Sequence, residues 1–440
     1  MRFSIRVIVA SLIVLSGCLA GVADEWPQWR GPQRDGVWRE TGIISKFAGQ
    51  QIKPLWRQPI GSGYSGPTVA AGRVFVTDRQ TEPKQIERIH CFDGQQGTKL
   101  WTHEYPCEYT ISYQAGPRAA VTVEDHRAYA LGAMGHLHCL DARTGDVLWA
   151  RDLNADYEIN KRKRMPIWGI AASPLIYNDL VIVPIGAAGG ASIVALDKMS
   201  GREAWRSLND RGQYSAPILI EQAGQPVVVC WTGDSVAGLD PRTGNVHWRF
   251  PFTPRNMPIG IATPVVDGKR LFVTSFYDGS LMLRLRQDKP AVEKIWQRAG
   301  RNERNTDALH SIISTPVFSG DYLYGVDSYG ELRCLAAGTG DRIWEDQTAT
   351  PRNRWSNIHF VRNGDRYWLF NEMGELIIAK LSPDGFHEIS RAKLIEPTRS
   401  QLSGSGRRHG VCWAHPAFAY KHVFIRNDNE ILCASLAADE

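Results

Sequence analysis

Little in this chain marks it as a familiar enzyme or nucleic-acid binder. Charged residues make up only 22% of it and the formal net charge is +5 over 440 residues, which does not imply a nucleic-acid partner. Methionine is scarce, with 7 residues. There is no Gly-x-Ser-x-Gly elbow, no His-Glu-x-x-His pair and no Cys-x-x-Cys-His haem signal. The glycine-rich stretches Gly61 to Gly66 and Gly186 to Gly190 lack the Lys-Ser/Thr of a phosphate loop and read as tight turns. No acidic cluster stands out as a Ca²⁺ loop, and Asn427-Asp428-Asn429-Glu430 reads more simply as a hairpin turn. What is abundant is tryptophan (15) and glycine (41) within a 43% apolar composition. That excludes a disordered chain and suits a large all-β repeat protein.

The N-terminus reads as an export signal. Arg2 and Arg6 flank the start of the apolar stretch Val7 to Leu15, too short for the roughly 20 residues of a spanning helix. Two processing sites compete. Leu15-Ser16-Gly17-Cys18 matches a lipobox, which would make Cys18 a lipidated first residue, whereas Gly21-Val22-Ala23 allows ordinary cleavage before Asp24. Residues 1–23 are thus a signal peptide, 24–54 a leading segment and 55–440 the body. No later run is apolar enough to cross a membrane.

The body repeats. An Asp, a Gly four residues on and a Trp four beyond recur as Asp93/Gly97/Trp101, Asp141/Gly145/Trp149, Asp197/Gly201/Trp205 and Asp240/Gly244/Trp248. A further copy keeps Gly340 and Trp344 with Ala336 in the Asp slot, and another keeps Asp288 and Trp296 without the Gly. Successive Trp intervals are 48, 56, 43, 48 and 48 residues. In each unit the Asp side chain can cap backbone N–H groups and Gly supplies the positive φ of a turn. The Trp on the next strand can staple one unit to its neighbour. Most units open on a small residue or His before Pro, as at Gly66-Pro67, Gly116-Pro117, Ser173-Pro174, Ala216-Pro217, Thr263-Pro264, Thr315-Pro316 and His415-Pro416, because Pro is tolerated where a strand begins. Unit starts near residues 66, 116, 172, 215, 262, 314, 356 and 413 predict eight four-stranded blades of a β-propeller. The seventh lacks the opening Pro and the Trp. The last stops before its Trp strand, so the orphan Leu55-Trp56-Arg57 is expected to complete it and close the ring.

This repeat resembles that of pyrroloquinoline quinone (PQQ) dehydrogenase propellers, and is similar to that of the lipoprotein scaffold in the outer-membrane β-barrel assembly machinery. Trp26-Pro27-Gln28-Trp29-Arg30-Gly31-Pro32 resembles the start of many exported bacterial proteins carrying it. The resemblance implies a propeller, and either of two functions. For the dehydrogenases it implies a quinone held between a Trp and an adjacent-cysteine disulfide, with Ca²⁺ on carboxylate and amide oxygens. This chain has no Cys-Cys pair. No cofactor or metal is therefore expected, with PQQ plus calcium as the alternative.

The remaining residues favour binding. Cys91, Cys139, Cys334 and Cys433 share a repeat slot that elsewhere holds Ala195 or Gly238, so the slot asks for a small buried side chain. Cys107, Cys230 and Cys412 lie off that register, leaving one disulfide among them open. His136 and His138 alternate as metal ligands could, yet His90 shares the slot of His138, which indicates packing. The segments leading from each outer strand to the next blade hold 19 Lys/Arg against 11 Asp/Glu. Lys161-Arg162-Lys163-Arg164 and Arg407-Arg408-His409 are the densest patches, and Tyr64, Trp168, Tyr214, Trp355 and Trp413 flank the channel. The reading is an exported, monomeric, non-catalytic scaffold that presents this face to a protein or an anionic polysaccharide of the cell envelope. A quinoprotein dehydrogenase and a sugar binder are the alternatives.

Overall fold

The computed structural model describes residues 24–113, 115–399, 402 and 409–438; Cys18, both cleavage sites, Arg407 and Arg408 lie outside them. It contains eight four-stranded antiparallel sheets. The first blade runs from the innermost strand Thr68–Ala70 through Arg73–Gln80 and Ile86–Asp93 to the outermost Lys99–Pro106. The middle strands are continuously buried because each sheet is covered on both faces by its neighbours. Outer strands alternate instead, as in Glu203–Ser207, where Trp205 is buried beside exposed neighbours. The apolar clusters bridge adjacent blades: Ile218, Val229 and Trp248 of one pack with Leu271, Leu281 and Leu283 of the next.

The repeated Asp, Gly and Trp are the joints of the ring. Asp141 Oδ1 accepts hydrogen bonds from the backbone N–H of Arg143 (2.8 Å) and Thr144 (2.9 Å). Asp93, Asp197 and Asp240 repeat this cap. At five of the joints a blade's Trp lies over the turn glycine of the following blade. A methyl group on Gly97 would sit 2.5 Å from Trp56, on Gly145 2.7 Å from Trp101, on Gly201 2.7 Å from Trp149, on Gly244 2.5 Å from Trp205 and on Gly340 3.0 Å from Trp296. The indole N–H groups of Trp56, Trp101, Trp149, Trp205, Trp296 and Trp344 donate to carbonyls of that next turn, at 2.8 to 3.2 Å. Trp248, facing the blade without the glycine, donates to Gln222 Oε1 of its own blade (2.9 Å).

Closure follows the expected route. Trp56–Pro59 pairs antiparallel with Glu430–Ser435, so the first strand of the body completes the last blade and no sheet edge is left between them. The leading segment is more than a tether. Trp26 and Trp38 are among the largest fully buried side chains, and Trp38 packs against Trp368 (5.6 Å) and Phe418 (5.1 Å).

Candidate functional site

The innermost strands surround a channel whose two ends differ. At one end the leading segment crosses the axis. Trp26 pairs with Val69 of the first blade, Pro27 O accepts from Val123 N of the second, and Trp29 Nε1 donates to Thr263 Oγ1 of the fifth (2.7 Å). The Trp29 ring also stands edge-on to His415 of the eighth blade at 4.3 Å. Arg34 donates to the carbonyls of Ser173 (3.4 Å), Pro174 and Pro217 (3.1 Å), from the third and fourth blades. These contacts make residues 26–34 a floor.

Above the floor lies a chamber with about 890 Å³ of empty space, its mouth included. The segments between blades bring aromatic rings over the axis: Trp168 and Trp355, from opposite blades, lie 5.9 Å apart. Trp168 meets Tyr214 at 5.0 Å, and Trp355 meets Trp413 at 6.3 Å. Tyr113 sits among them, 5.1 Å from Trp355 and 5.9 Å from Trp168. All five aromatics singled out from the sequence, Tyr64, Trp168, Tyr214, Trp355 and Trp413, line this chamber. Ile261, Ile312 and Ile313 supply an aliphatic side. Trp355 has φ +70°, a conformation a bulky residue seldom adopts without surrounding constraint.

The polar groups are few. Arg118 stacks on Tyr64 at 4.7 Å and donates to the carbonyls of Gly116 (2.6 Å), Ser112 (3.2 Å) and Tyr113. His359 Nε2 donates to Trp413 O (2.9 Å), and burial pushes its pKa down to about 4. Burial also pushes His415 down to about 3, with His359 adding to the effect. Both imidazoles are therefore neutral near pH 7. Sequence reasoning missed Arg118, Tyr113, Trp29 and His359. A Ca²⁺-assisted quinone asks for carboxylate and amide oxygens, and no Asp, Glu, Asn or Gln lines the chamber among the described residues. As lined, it does not fit that group.

The basic residues are placed differently. Lys161 and Arg162 both bind Glu158, the latter at 2.8 Å, and Lys163 is exposed. Arg164 donates to Asn209 O (2.8 Å). On the same loops Arg211 pairs with Asp234, Arg249 with Asp210, Arg298 with Asp307 and Arg354 with Glu303. Much of the positive excess is thus matched locally, and the chamber is the better-formed feature. His409 is exposed.

The other candidates resolve as packing. The seven described cysteines are free and buried, and Cys107, Cys230 and Cys412 form no disulfide. Burial raises the thiols, Cys230 and Cys433 to about 12. His138 lies against Tyr105 (4.3 Å) and His103 (5.0 Å), and His136 faces Cys107 at 3.7 Å. Among the described residues no three such ligands are grouped to hold a metal. Asn427 Oδ1 accepts from the N–H groups of Asn429 and Glu430, the expected hairpin turn.

Among solved structures, BamB from Moraxella catarrhalis matches with TM-score 0.57 and 18% identity, over 88% of this chain and 99% of that one. A quinohemoprotein alcohol dehydrogenase from Comamonas testosteroni matches with TM-score 0.64 and 12% identity, over 94% and 81%. A europium-containing methanol dehydrogenase matches with TM-score 0.62 and 12% identity, over 91% and 89%. At these identities the likeness is one of fold. No curated sequence matches. The profile of the family described as outer membrane protein assembly factor BamB covers residues 85–346, more than half of the chain, and the chain belongs to that family.

Proposed function

We propose that this chain is a non-catalytic binding propeller of the cell envelope, exported by its N-terminal segment, which takes a protein partner on the loop face where the axial chamber opens. The observation that carries this reading is the chamber itself: aromatic and aliphatic side chains from several blades over a floor, with neutral histidines and, among the described residues, no carboxylate in the lining. A rigid aromatic concavity of this kind suits the anchoring of a partner's side chains. Membership in a family described as an outer membrane assembly factor supports an envelope role. Among the described residues no helix is long and apolar enough to cross a membrane. The monomeric state belongs to the same proposal. An anionic polysaccharide is the less favoured partner, because sugar hydroxyls need more polar lining than the chamber offers.

The test is calorimetric titration of the protein, purified without residues 1–23, with PQQ plus Ca²⁺. The expected result is no heat and no shift in melting temperature. Saturable one-to-one binding would overturn the reading and favour the dehydrogenase alternative, to which two of the similar solved structures belong.

A further inference from the structure

Among the described residues lining the chamber, Arg118 is the one cation. Arg211, Arg255 and Arg354 each face a carboxylate, at 2.7, 3.6 and 2.7 Å. Arg118 has no ion pair among the described residues: its hydrogen bonds go to three carbonyls of its own loop, its guanidinium stacks on the Tyr64 ring, and the Glu87 carboxylate acts on it without direct contact. A guanidinium on an apolar wall keeps its charge, and an incoming carboxylate would gain strength from the low local dielectric. Two further lining groups are unsatisfied. The Nε1 of Trp355 and the Nε2 of His415 are buried with no hydrogen-bond partner. Buried polar atoms without partners are uncommon and each calls for an explanation, an ordered water among them.

These groups specify an occupant. The rings and isoleucines ask for an aromatic body, and a cation without a direct ion pair asks for one negative charge beside it. Residues 26–34 cross one end of the channel, so the occupant is placed at the other, on the loop face. We propose that the axial chamber receives an aromatic side chain of a partner protein's exposed segment, with an Asp or Glu within two residues of it placed against Arg118. This rests on the reading of the chain as a protein-binding propeller. Specificity would come from the charge pair and affinity from the ring, as at interface hot spots.

The experiment is selection of random heptapeptides displayed on phage against the immobilised full-length mature chain. An enriched family carrying Trp, Tyr or Phe within two residues of Asp or Glu is expected. A synthetic peptide of that family should lose about ten-fold or more in affinity when its acid becomes the amide, and a similar factor when its aromatic becomes Ala. Those arms leave the protein unaltered, so misfolding cannot produce them. Arg118→Gln should abolish the preference for the acid, while Arg118→Lys keeps it. Enriched peptides without an aromatic–acid pair, or equal binding of acid and amide peptides, would overturn this inference and leave the protein-binding reading standing. Recovery of no peptide family, together with saturable binding of a uronic acid oligosaccharide or of PQQ, would overturn both.

Discussion

The pairing of Trp205 with the next blade's Gly244 is a coupling energy that a double-mutant cycle can measure. Gly244 has φ +72°, and a methyl group there would lie 2.5 Å from Cε3 of Trp205. Gly72 has nearly the same φ, +70°, and open space around it. Gly72→Ala therefore isolates the left-handed backbone cost, about 1–2 kcal/mol. Gly244→Ala should carry that cost plus about 1–3 kcal/mol for forcing a packed indole aside. Trp205→Ala removes a buried ring whose Nε1 donates to Pro241 O at 3.1 Å, and should cost about 3–5 kcal/mol. In the double mutant the clash is gone, so Gly244→Ala should again cost only its backbone term. The cycle should thus show about 1–3 kcal/mol of favourable coupling. Urea denaturation followed by near-ultraviolet circular dichroism gives the midpoints, compared at constant m-value. Additivity within about 0.5 kcal/mol, or Gly72→Ala as damaging as Gly244→Ala, would refute the stapling argument.

Two further outcomes follow from the channel. Arg34→Ala leaves the Ser173, Pro174 and Pro217 carbonyls without their donor, each worth about 1–3 kcal/mol when buried and unsatisfied, so the floor should loosen; limited proteolysis should then cut within residues 24–54 well before the blades, and unchanged cleavage would count against the floor assignment. His359 and His415 have folded pKa values of about 4 and 3, below the ordinary 6.5, so they bind protons in the unfolded chain first. Their contribution is complete above about pH 6.5 and is lost as pH falls toward 4, at up to about 1.4 kcal/mol per histidine per pH unit. A melting temperature flat from pH 7 to pH 4.5, or an acid limb unchanged in His359→Gln, would contradict that burial.

The ring was legible because its joints are made of residue types with few substitutes. Only glycine meets both the positive φ at Gly201 and the Trp149 ring above it, so the two recur together in the sequence. The chamber was half legible. The aromatics stood out by size, but Arg118 and His359 are single residues whose position becomes informative only once the blades are in register. The residue before each strand-opening Pro faces the axis, as Ser173, Ala216 and His415 do, and the residue three before it forms the next layer, as Tyr64, Ala171, Tyr214, Ile261, Ile313 and Trp413 do. Six of the Pro positions carry that register, but Pro117 lies ahead of it: the second blade's innermost strand is Thr122–Glu124, so Val121 takes the Pro slot and Arg118 a place in the next layer.

The seventh blade shows why its irregularity is not decay. Its register places Val361 opposite Trp368 and Trp368 opposite Ile378, as Val317, Tyr324 and Cys334 are placed in the sixth blade. Phe360 therefore stands where Pro316 does, and His359 takes the axial position that His415 holds in the eighth. In the outer strand the residue opposite Ile378 is Ser390, in the slot that Trp344 fills opposite Cys334. The missing indole leaves a place that the leading segment takes: Ser390 Oγ accepts from Phe47 N (2.9 Å), and the Phe47 ring lies 6.0 Å from Trp368. On the same blade Val37 bridges Arg362 and Gln51 bridges Lys393. A Trp at position 390 would compete with that segment for its seat. The blade that lost the repeat's Trp and opening Pro is thus the one that anchors residues 37–51, and so secures the chain that forms the chamber floor.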